Sequence, residues 1–445
     1  MIVMKFGGTS VQNEEAIGRV ISIVKTRLRE KPVVVVSALA RVTRLLVQIA
    51  EEAENKNAEA VASDLSALRK RHEDLCSALL SGKLLEDTLS SVGTLCDELA
   101  SFVEGVCQIG ELSPRSRARI ISTGELLSST IVAAAFNEAG INCNWVDARR
   151  MVITDENNMS ARPDLDLTAM NVQRIISAAS KGAKVVLTQG FIASTASGAS
   201  YVLGFEGSDY SAAIFGMSLN ADRVEIWTDV DGIRSADPRV VTETARISKA
   251  SYEEAAVMAY LGARVLHPMT IGPARRRNIP ILVLNTMNPD AEGSVVAKDE
   301  NIPGGPKSVA FFTEIDYLEV SSKTQRSVSA MLEDICPILK ENGLEVSLMS
   351  TSVSKVSLSF ECGQAGLHDA VKALSGNYEA TLYRDKSQLS VVGKDVISAA
   401  GLLDALNSCA KPCMVSVGAS MMDISAIVDR GSIKEIINEL HNRIF

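Results

Sequence analysis

The chain has 445 residues and a formal net charge of −9, with 54 acidic against 45 basic side chains. That length exceeds what one hydrophobic core usually supports, so two or three domains are expected; the acidic balance excludes nucleic acid or an anionic membrane as main partner, since either needs a clustered basic face. Hydrophobic residues at 46% with aromatics at only 4% leave Val, Ile, Leu and Ala to fill the interior, which suits buried parallel strands and an α/β fold.

Residues 2–6 read as a short buried strand running into Gly7, Gly8, Thr9 and Ser10, and residues 16–28 have helical periodicity. Pro32 then opens a second buried strand, 33–36, ending at Ser37. This strand–loop–helix–strand unit begins a wound α/β domain. Between 58 and 106 the pattern becomes helical and amphipathic, which predicts a helical insertion covering the sheet. Strands resume at 185–188, 224–228 and 281–284, with a turn signal at 229–232. Residues 287–308 are rich in proline and glycine, and 291–308 are expected as a linker after a first domain of 1–290.

Beyond it, Val356, Leu358 and Phe360 alternate with serines, and Ile424, Ala426 and Val428 repeat that period 68 positions later, which predicts two copies of one α+β module, 309–385 and 386–445. Ser432 with Glu435 marks the N-terminus of a final amphipathic helix. The eight cysteines show no C-x-x-C spacing and no secretory leader precedes Lys5, so reduced, mostly buried thiols in a cytoplasmic protein are expected. No apolar run reaches the roughly 18 residues of a membrane span.

Three segments have the composition of a phosphate site. In Lys5-Phe6-Gly7-Gly8-Thr9-Ser10 a cation ends a strand, and two glycines let backbone amides approach phosphate oxygens; it is not a Walker A sequence, because the lysine precedes the glycines. In Leu203-Gly204-Phe205-Glu206-Gly207-Ser208-Asp209-Tyr210 a serine is placed to cap an Ala-rich helix whose N-terminus would face an anion. Trp227-Thr228-Asp229-Val230-Asp231-Gly232, followed by Asp237-Pro238-Arg239, is the third. A tight turn, a capped helix and a loop of plain geometry are the respective structural alternatives. His267 before Pro268 reads as packed or capping, and His72 as structural.

With Val36-Ser37-Ala38-Leu39, Ser122-Thr123-Gly124-Glu125, Thr188-Gln189-Gly190-Phe191 and Val265-Leu266-His267-Pro268, these motifs stand in an order that resembles the aspartate kinases over the first 300 residues or so. The C-terminal repeat resembles the tandem ACT modules of the same family. The resemblance implies an amino-acid-kinase fold, a mainly parallel sheet between helices, followed by two ferredoxin-like ACT modules. It implies phosphorylation of the side-chain carboxylate of L-aspartate by ATP, with Mg2+ held mainly through the phosphates and no dedicated protein metal site, as a first step toward lysine, threonine and methionine. Lys5 would contact the transferring phosphoryl group and Asp209 would organise it. Glu125 would hold the substrate ammonium, with Ser37, Thr43 and Phe191 in the amino-acid pocket. Gly7, Gly8, Gly207, Ser208, Thr228, Asp229, Arg239 and Arg264 would lie around the nucleotide.

One departure bears on the substrate. Where the family usually reads Gly-Arg-Gly-Gly, with the arginine clasping a carboxylate, Phe205 and Glu206 stand at the arginine and following glycine. Arg41 and Arg44, where the family commonly has glycine and asparagine, are candidate replacements; solvent-facing arginines at a helix start are the alternative. The ACT resemblance further implies a homodimer and an amino-acid effector, with Met349, Thr351 and Ser352 as candidate contacts. Ser347 and Asp423 depart from the lysine-sensitive pattern, so the effector stays open. Two other functions stay open as well: a kinase for another small acid, against which the ACT repeat argues, and a catalytically silent amino-acid sensor, against which Lys5, Glu125, Asp209 and Asp229 argue.

Overall fold

A computed structural model describes residues 1–155, 162–204, 207–263, 266–299, 302–418 and 420–445. They form two compact units: one of Met1–Ile233, Ser248–Tyr252 and Leu266–Asp299, the other of Arg234–Ile247, Glu253–Val265 and Glu300–Phe445. The second takes in two segments, 234–247 and 253–265, that a linear reading leaves in the first.

In the first unit the chain makes β1 (Val3–Phe6), α1 (Glu14–Lys25), β2 (Val33–Val36), α2 (Val42–Glu54), α3 (Ala58–Leu79), α4 (Gly82–Ile109), α5 (Pro114–Glu138) and β3 (Cys143–Trp145). It continues as β4 (Ile153–Thr154), α6 (Leu165–Ala179), β5 (Val185–Gln189), β6 (Ile192–Thr195), β7 (Ser200–Val202), α7 (Gly207–Leu219), β8 (Val224–Thr228) and β9 (Lys249–Ser251). After α8 (Tyr252–Tyr260), which except for Tyr252 belongs to the second unit, come α9 (Pro268–Arg276), β10 (Ile281–Asn285) and β11 (Ser294–Ala297) of the first.

The main sheet has the order β3-β5-β2-β1-β8-β10-β11-β9, and every adjacent pair is parallel except β10 with β11. Its central strands β1, β2 and β5 are almost wholly buried and mostly apolar, with Val dominant, as a sheet covered on both faces requires. Met4 and Phe6 pack with Ile17, Val20 and Leu127 in one core, so the period-two alternation of a strand turns Lys5 to the opposite face, where α7 lies. Part of the expected linker is strand instead: β11 pairs antiparallel to β10 and parallel to β9, because Val296 finds a fully buried place at the sheet edge.

By length and composition α5 alone among the described helices could cross a membrane, yet 83% of its apolar stretch is buried within the protein, including Ser128, Ser129 and Glu125. It is a core helix of this unit.

The second unit holds β12 (Ser308–Ser322), α10 (Val328–Glu341), β13 (Leu348–Ser352), β14 (Lys355–Glu361), α11 (Leu367–Leu374), β15 (Tyr378–Val392), α12 (Leu402–Cys409), β16 (Met414–Val417), β17 (Asp423–Asp429) and α13 (Ile433–Ile444). They build one antiparallel sheet of order β13-β14-β12-β15-β17-β16. The repeat seen in sequence is β14 and β17, each contributing three buried alternate residues.

The two modules are not consecutive in sequence. Register shifts near Phe312, Ile315 and Tyr317 divide β12: Val309 packs with Leu389, Ile424 and Ile437, whereas Leu318 and Val320 pack with Met331, Leu358 and Leu374. The first residues of β12 therefore belong to the C-terminal module, and the other module is inserted after them. Ser432 stands at the N-cap of α13 as expected but its side chain caps nothing, since a 3-10 turn, Arg430–Ser432, leads into the helix. All eight cysteines are free, and Cys336, Cys362 and Cys413 are exposed rather than buried, because they lie on helix surfaces and strand ends of the small modules.

Candidate active site

Because β1, β2, β5 and β8 are parallel and in register, with Phe6 opposite Val36 and Trp227, and Val36 opposite Gln189, the segments leaving their C-terminal ends share one rim. Open α/β sheets place ligands at such a rim, where strand order reverses. Here the sequence puts Gly7–Ser10, Ser37–Arg41, Gly190–Phe191 and Thr228–Asp229.

Lys5 extends from β1 to Asp209 on the first turn of α7, Nζ to Oδ1 2.5 Å, with both side chains largely buried. Gly8 lets the first loop press on the second: a Cβ there would lie 2.8 Å from the carbonyl oxygen of Ala38, and Ala40 N donates to Gly8 O at 3.1 Å. Gly190 does the same against α7, where a Cβ would meet the Ser208 Cβ at 2.7 Å. Ser208 is not the cap expected of it. The helix already starts at Gly207, and the Ser37 hydroxyl donates to Ser208 Oγ at 3.0 Å. These contacts bring three glycine-bearing segments together beside one lysine, a setting in which phosphoryl chemistry can be supported.

Glu125 lies on α5 and is 2% exposed; its Oε1 accepts from Ala38 N at 3.2 Å, while Oε2 has no partner among the described residues. Burial pushes its carboxyl up to about 8, against the smaller opposing pull of the Ala38 amide. A buried carboxyl with an open oxygen is a ready receptor for an ammonium group. Ser128, one turn on, donates to Ser37 O at 2.7 Å and ties the same helix to the second loop.

Phe191 is held with φ +66°, its amide donating to Ser211 Oγ at 2.8 Å and its carbonyl accepting from Leu203 N. Arg41 has φ +69° at the N-cap of α2, a conformation that costs a side-chain-bearing residue about 1 kcal/mol and that glycine adopts freely. Arg41 and Arg44 are both exposed, and Thr43 is half-buried between them.

The sequence reading missed Arg71. From α3 its Nη1 donates to Ala40 O at 2.9 Å, and burial together with nearby Arg41 lowers its basicity. In the sequence it is one cation in the run Arg69-Lys70-Arg71, and nothing there signals a reach toward residue 40.

Thr228 Oγ1 donates to Asp229 at 3.2 Å, and the Thr228 carbonyl accepts from Thr286 N and Oγ1. His267 caps α9, its Nδ1 accepting from Met269 N at 3.2 Å, as expected; burial lowers its basicity and Asp209 opposes that. Arg239 belongs to the second unit, where its guanidinium forks on Asp237. Phe205, Glu206 and Arg264 lie outside the described residues. Met349, Thr351 and Ser352 lie on β13, at the edge of the second unit's sheet, with Met349 38% exposed and the other two exposed. No three His, Cys, Asp or Glu side chains converge on a metal site among the described residues.

Residues 1–285 match the model of the amino acid kinase family. Along its whole length the chain is 30% identical to lysine-sensitive aspartokinase 3 of Escherichia coli, covering 99% of that protein. The chain belongs to the amino acid kinase family, in its aspartokinase branch. It is also 29% identical to bifunctional aspartokinase/homoserine dehydrogenase 2 of Arabidopsis thaliana, but spans about half the length of that relative. Among solved structures, E. coli aspartokinase III in complex with aspartate and ADP, in its R-state, matches with a TM-score of 0.90 at 28% identity, covering 100% of both chains. The same enzyme with lysine and aspartate, in its T-state, matches with a TM-score of 0.81 at 28% identity, covering 100% of this chain and 99% of that one.

Proposed function

We propose that this chain is an aspartate kinase: it transfers the γ-phosphoryl group of ATP to the side-chain carboxylate of L-aspartate, giving 4-phospho-L-aspartate. The observation that carries the reading is the meeting, at one sheet rim, of the Lys5–Asp209 pair, the Gly8 and Gly190 contacts and the buried Glu125. The full-length likeness to a protein solved with aspartate and ADP supports it.

A carboxylate is already ionised at neutral pH, so the reaction needs no general base. The obstacle is the approach of two anions, and the site answers it electrostatically. Lys5 follows the transferring phosphoryl group, with Asp209 fixing its position. The amides of the Gly7–Gly8 turn and of the first turn of α7 face the phosphates. Mg2+ bound through the nucleotide's phosphates, rather than by a cluster of protein carboxylates, would supply neutralisation of part of their charge. Thr228 and Asp229 border the nucleotide. Glu125 receives the substrate ammonium on its open Oε2, and Ser37, Thr43 and Phe191 shape the space beside it. Arg41 or Arg44 supplies the guanidinium that Phe205 cannot.

The second unit is proposed as a regulatory ACT pair that binds an amino-acid effector near Met349, Thr351 and Ser352 and joins two copies of the chain. Lysine is the first effector to try, because the matched E. coli relative is named lysine-sensitive and was solved with lysine. The free thiols suit a reducing, cytoplasmic setting.

The test is to incubate the protein with Mg-ATP, hydroxylamine and, in turn, L-aspartate, L-glutamate and N-acetyl-L-glutamate, and to read the ferric hydroxamate that traps an acyl phosphate. Colour with aspartate alone is expected. No colour with any acid, from folded protein, would replace the kinase by an amino-acid sensor.

A further inference from the structure

The first unit carries a cleft of about 500 Å³ between α4, the start of α5 and the turn joining β6 to β7. None of the residues assigned above to phosphoryl transfer lines it. Its volume is that of a small-molecule site. Three arginines reach it: Arg115 and Arg119 from α5, and Arg149 from the loop after β3. Arg149 is already satisfied, forking on Asp147 and donating to Ser200 Oγ. Arg117 points elsewhere and takes Glu51. Arg115 and Arg119 have no ion pair among the described residues.

Arg119 is nonetheless held in place, its guanidinium carbon 4.2 Å from the centre of the Phe102 ring. Stacking orients the planar fork while leaving its N–H edge free, the geometry that grips a carboxylate or phosphate. Leu95, Leu99 and Leu126 add apolar wall on the same side. A neighbouring cleft of about 640 Å³, lined by Val106 and Ile109, shares Phe102 and Arg119 with the first. Arg115 and Arg119 make one end of this space cationic, and Val106 and Ile109 give the other apolar wall, although Asp97, which pairs with Arg69, and Glu111 also line that second cleft. In the first cleft Glu98 is the one carboxylate among the lining residues, against two guanidinium groups without an ion pair among the described residues.

We propose that this cleft is a second ligand site, for a small organic oxyanion, a carboxylate or phosphate monoester, that carries an apolar body. The anionic group pairs with Arg115 and Arg119, and the body lies along Phe102 toward Val106. Because α5 carries both Arg119 and Glu125, the site shares a rigid element with the active-site rim.

Phenyl phosphate, phenylacetate and inorganic phosphate serve as probes, titrated calorimetrically into the full chain at low salt with saturating Mg-ADP and L-aspartate, which occupy the kinase site. One aryl anion per chain is expected to bind, phenyl phosphate or phenylacetate, whichever pairs better with the two arginines. Arg115→Ala/Arg119→Ala should weaken that binding at least tenfold, and Arg115→Glu, at an exposed side chain, should do so without disturbing the fold. Phe102→Leu, which removes both the surface under the aryl body and the ring that orients Arg119, should weaken the aryl anions by a larger factor than inorganic phosphate. Absence of saturable aryl binding up to about 10 mM, where an affinity would be too weak to count as a built site, overturns the proposal. So does binding that survives both arginine variants.

Discussion

Glu125→Gln offers the most quantitative test of the site, because the cause of the Glu125 shift is visible and its sign is unambiguous. In the unfolded chain the carboxyl loses its proton near its ordinary value of 4.5; buried beside the Ala38 amide, it keeps the proton until about pH 8. Between those values the folded state binds more protons than the unfolded one, so stability falls as pH rises. The penalty is absent below pH 4.5 and fully present above pH 8. At about 1.4 kcal/mol per pH unit it reaches about 3 kcal/mol at pH 7 and about 4 to 5 kcal/mol above pH 8. Glutamine has nothing to titrate, so the stability of the ligand-free variant relative to the native protein should climb by that amount from pH 5 to 8.5. Trp227 is 1% exposed in β8 of the same unit, so denaturant unfolding followed by its fluorescence reports on the right core.

Substrate binding supplies the second half of this experiment. An ammonium group on Oε2 would draw the carboxyl back to its ionised form, so binding of aspartate at pH 7 should release about 0.9 proton, measurable by calorimetry in buffers of different ionisation enthalpy. The variant should release none and bind aspartate at least tenfold more weakly. A stability difference flat with pH would refute the burial argument; proton-neutral aspartate binding would refute the ammonium assignment while leaving the burial argument intact.

Asp209→Asn removes the charge that fixes Lys5 and should lower kcat on the order of a hundredfold with a smaller change in KM for aspartate, read in the hydroxamate assay. Arg41→Gly should leave stability unchanged or raise it by up to about 1 kcal/mol in thermal unfolding, by relieving the left-handed backbone, while raising KM for aspartate if this arginine is the carboxylate clamp; a KM unchanged in both Arg41→Gly and Arg44→Ala removes that role from the pair. His72 is fully buried, and burial lowers its pKa to about 4, so it destabilises the fold as pH falls from 6.5 toward 4; His72→Leu should flatten that acid limb by about 3 kcal/mol in denaturant unfolding, opposite in direction to the Glu125 effect.

What was legible in the sequence was whatever local chemistry dictates. The buried strands β2, β5 and β8, the glycine pair after Lys5 and the period-two repeat of β14 and β17 were all written in consecutive residues, and each appears where it was read. Long-range geometry was not. That β11 completes a sheet edge depends on a partner, β9, some 45 residues earlier, and proline and glycine around it speak only of the turns. The division of β12 between two modules depends on which distant strands it meets. Ser208 has the composition of a cap, but Ser37 meets it from 171 residues away.

The same distinction explains how the site residues divide. Lys5 and Gly8 could be found because a strand's alternation and a turn's crowding restrict the residue type at the position itself. Arg71 and the Arg115–Arg119 pair could not, because an arginine on a helix surface is unremarkable until the element it faces is known. Arg41 lies between these cases. Its unusual backbone is a local fact, fixed by the turn from Ser37 into α2, and glycine would satisfy it at lower cost. An arginine that keeps a left-handed φ beside a substrate rim, in a chain with phenylalanine at position 205, is a local conflict that packing does not explain. Such conflicts concentrate where function sets the residue, which makes Arg41 the position at which backbone strain and substrate recognition can be separated by one substitution.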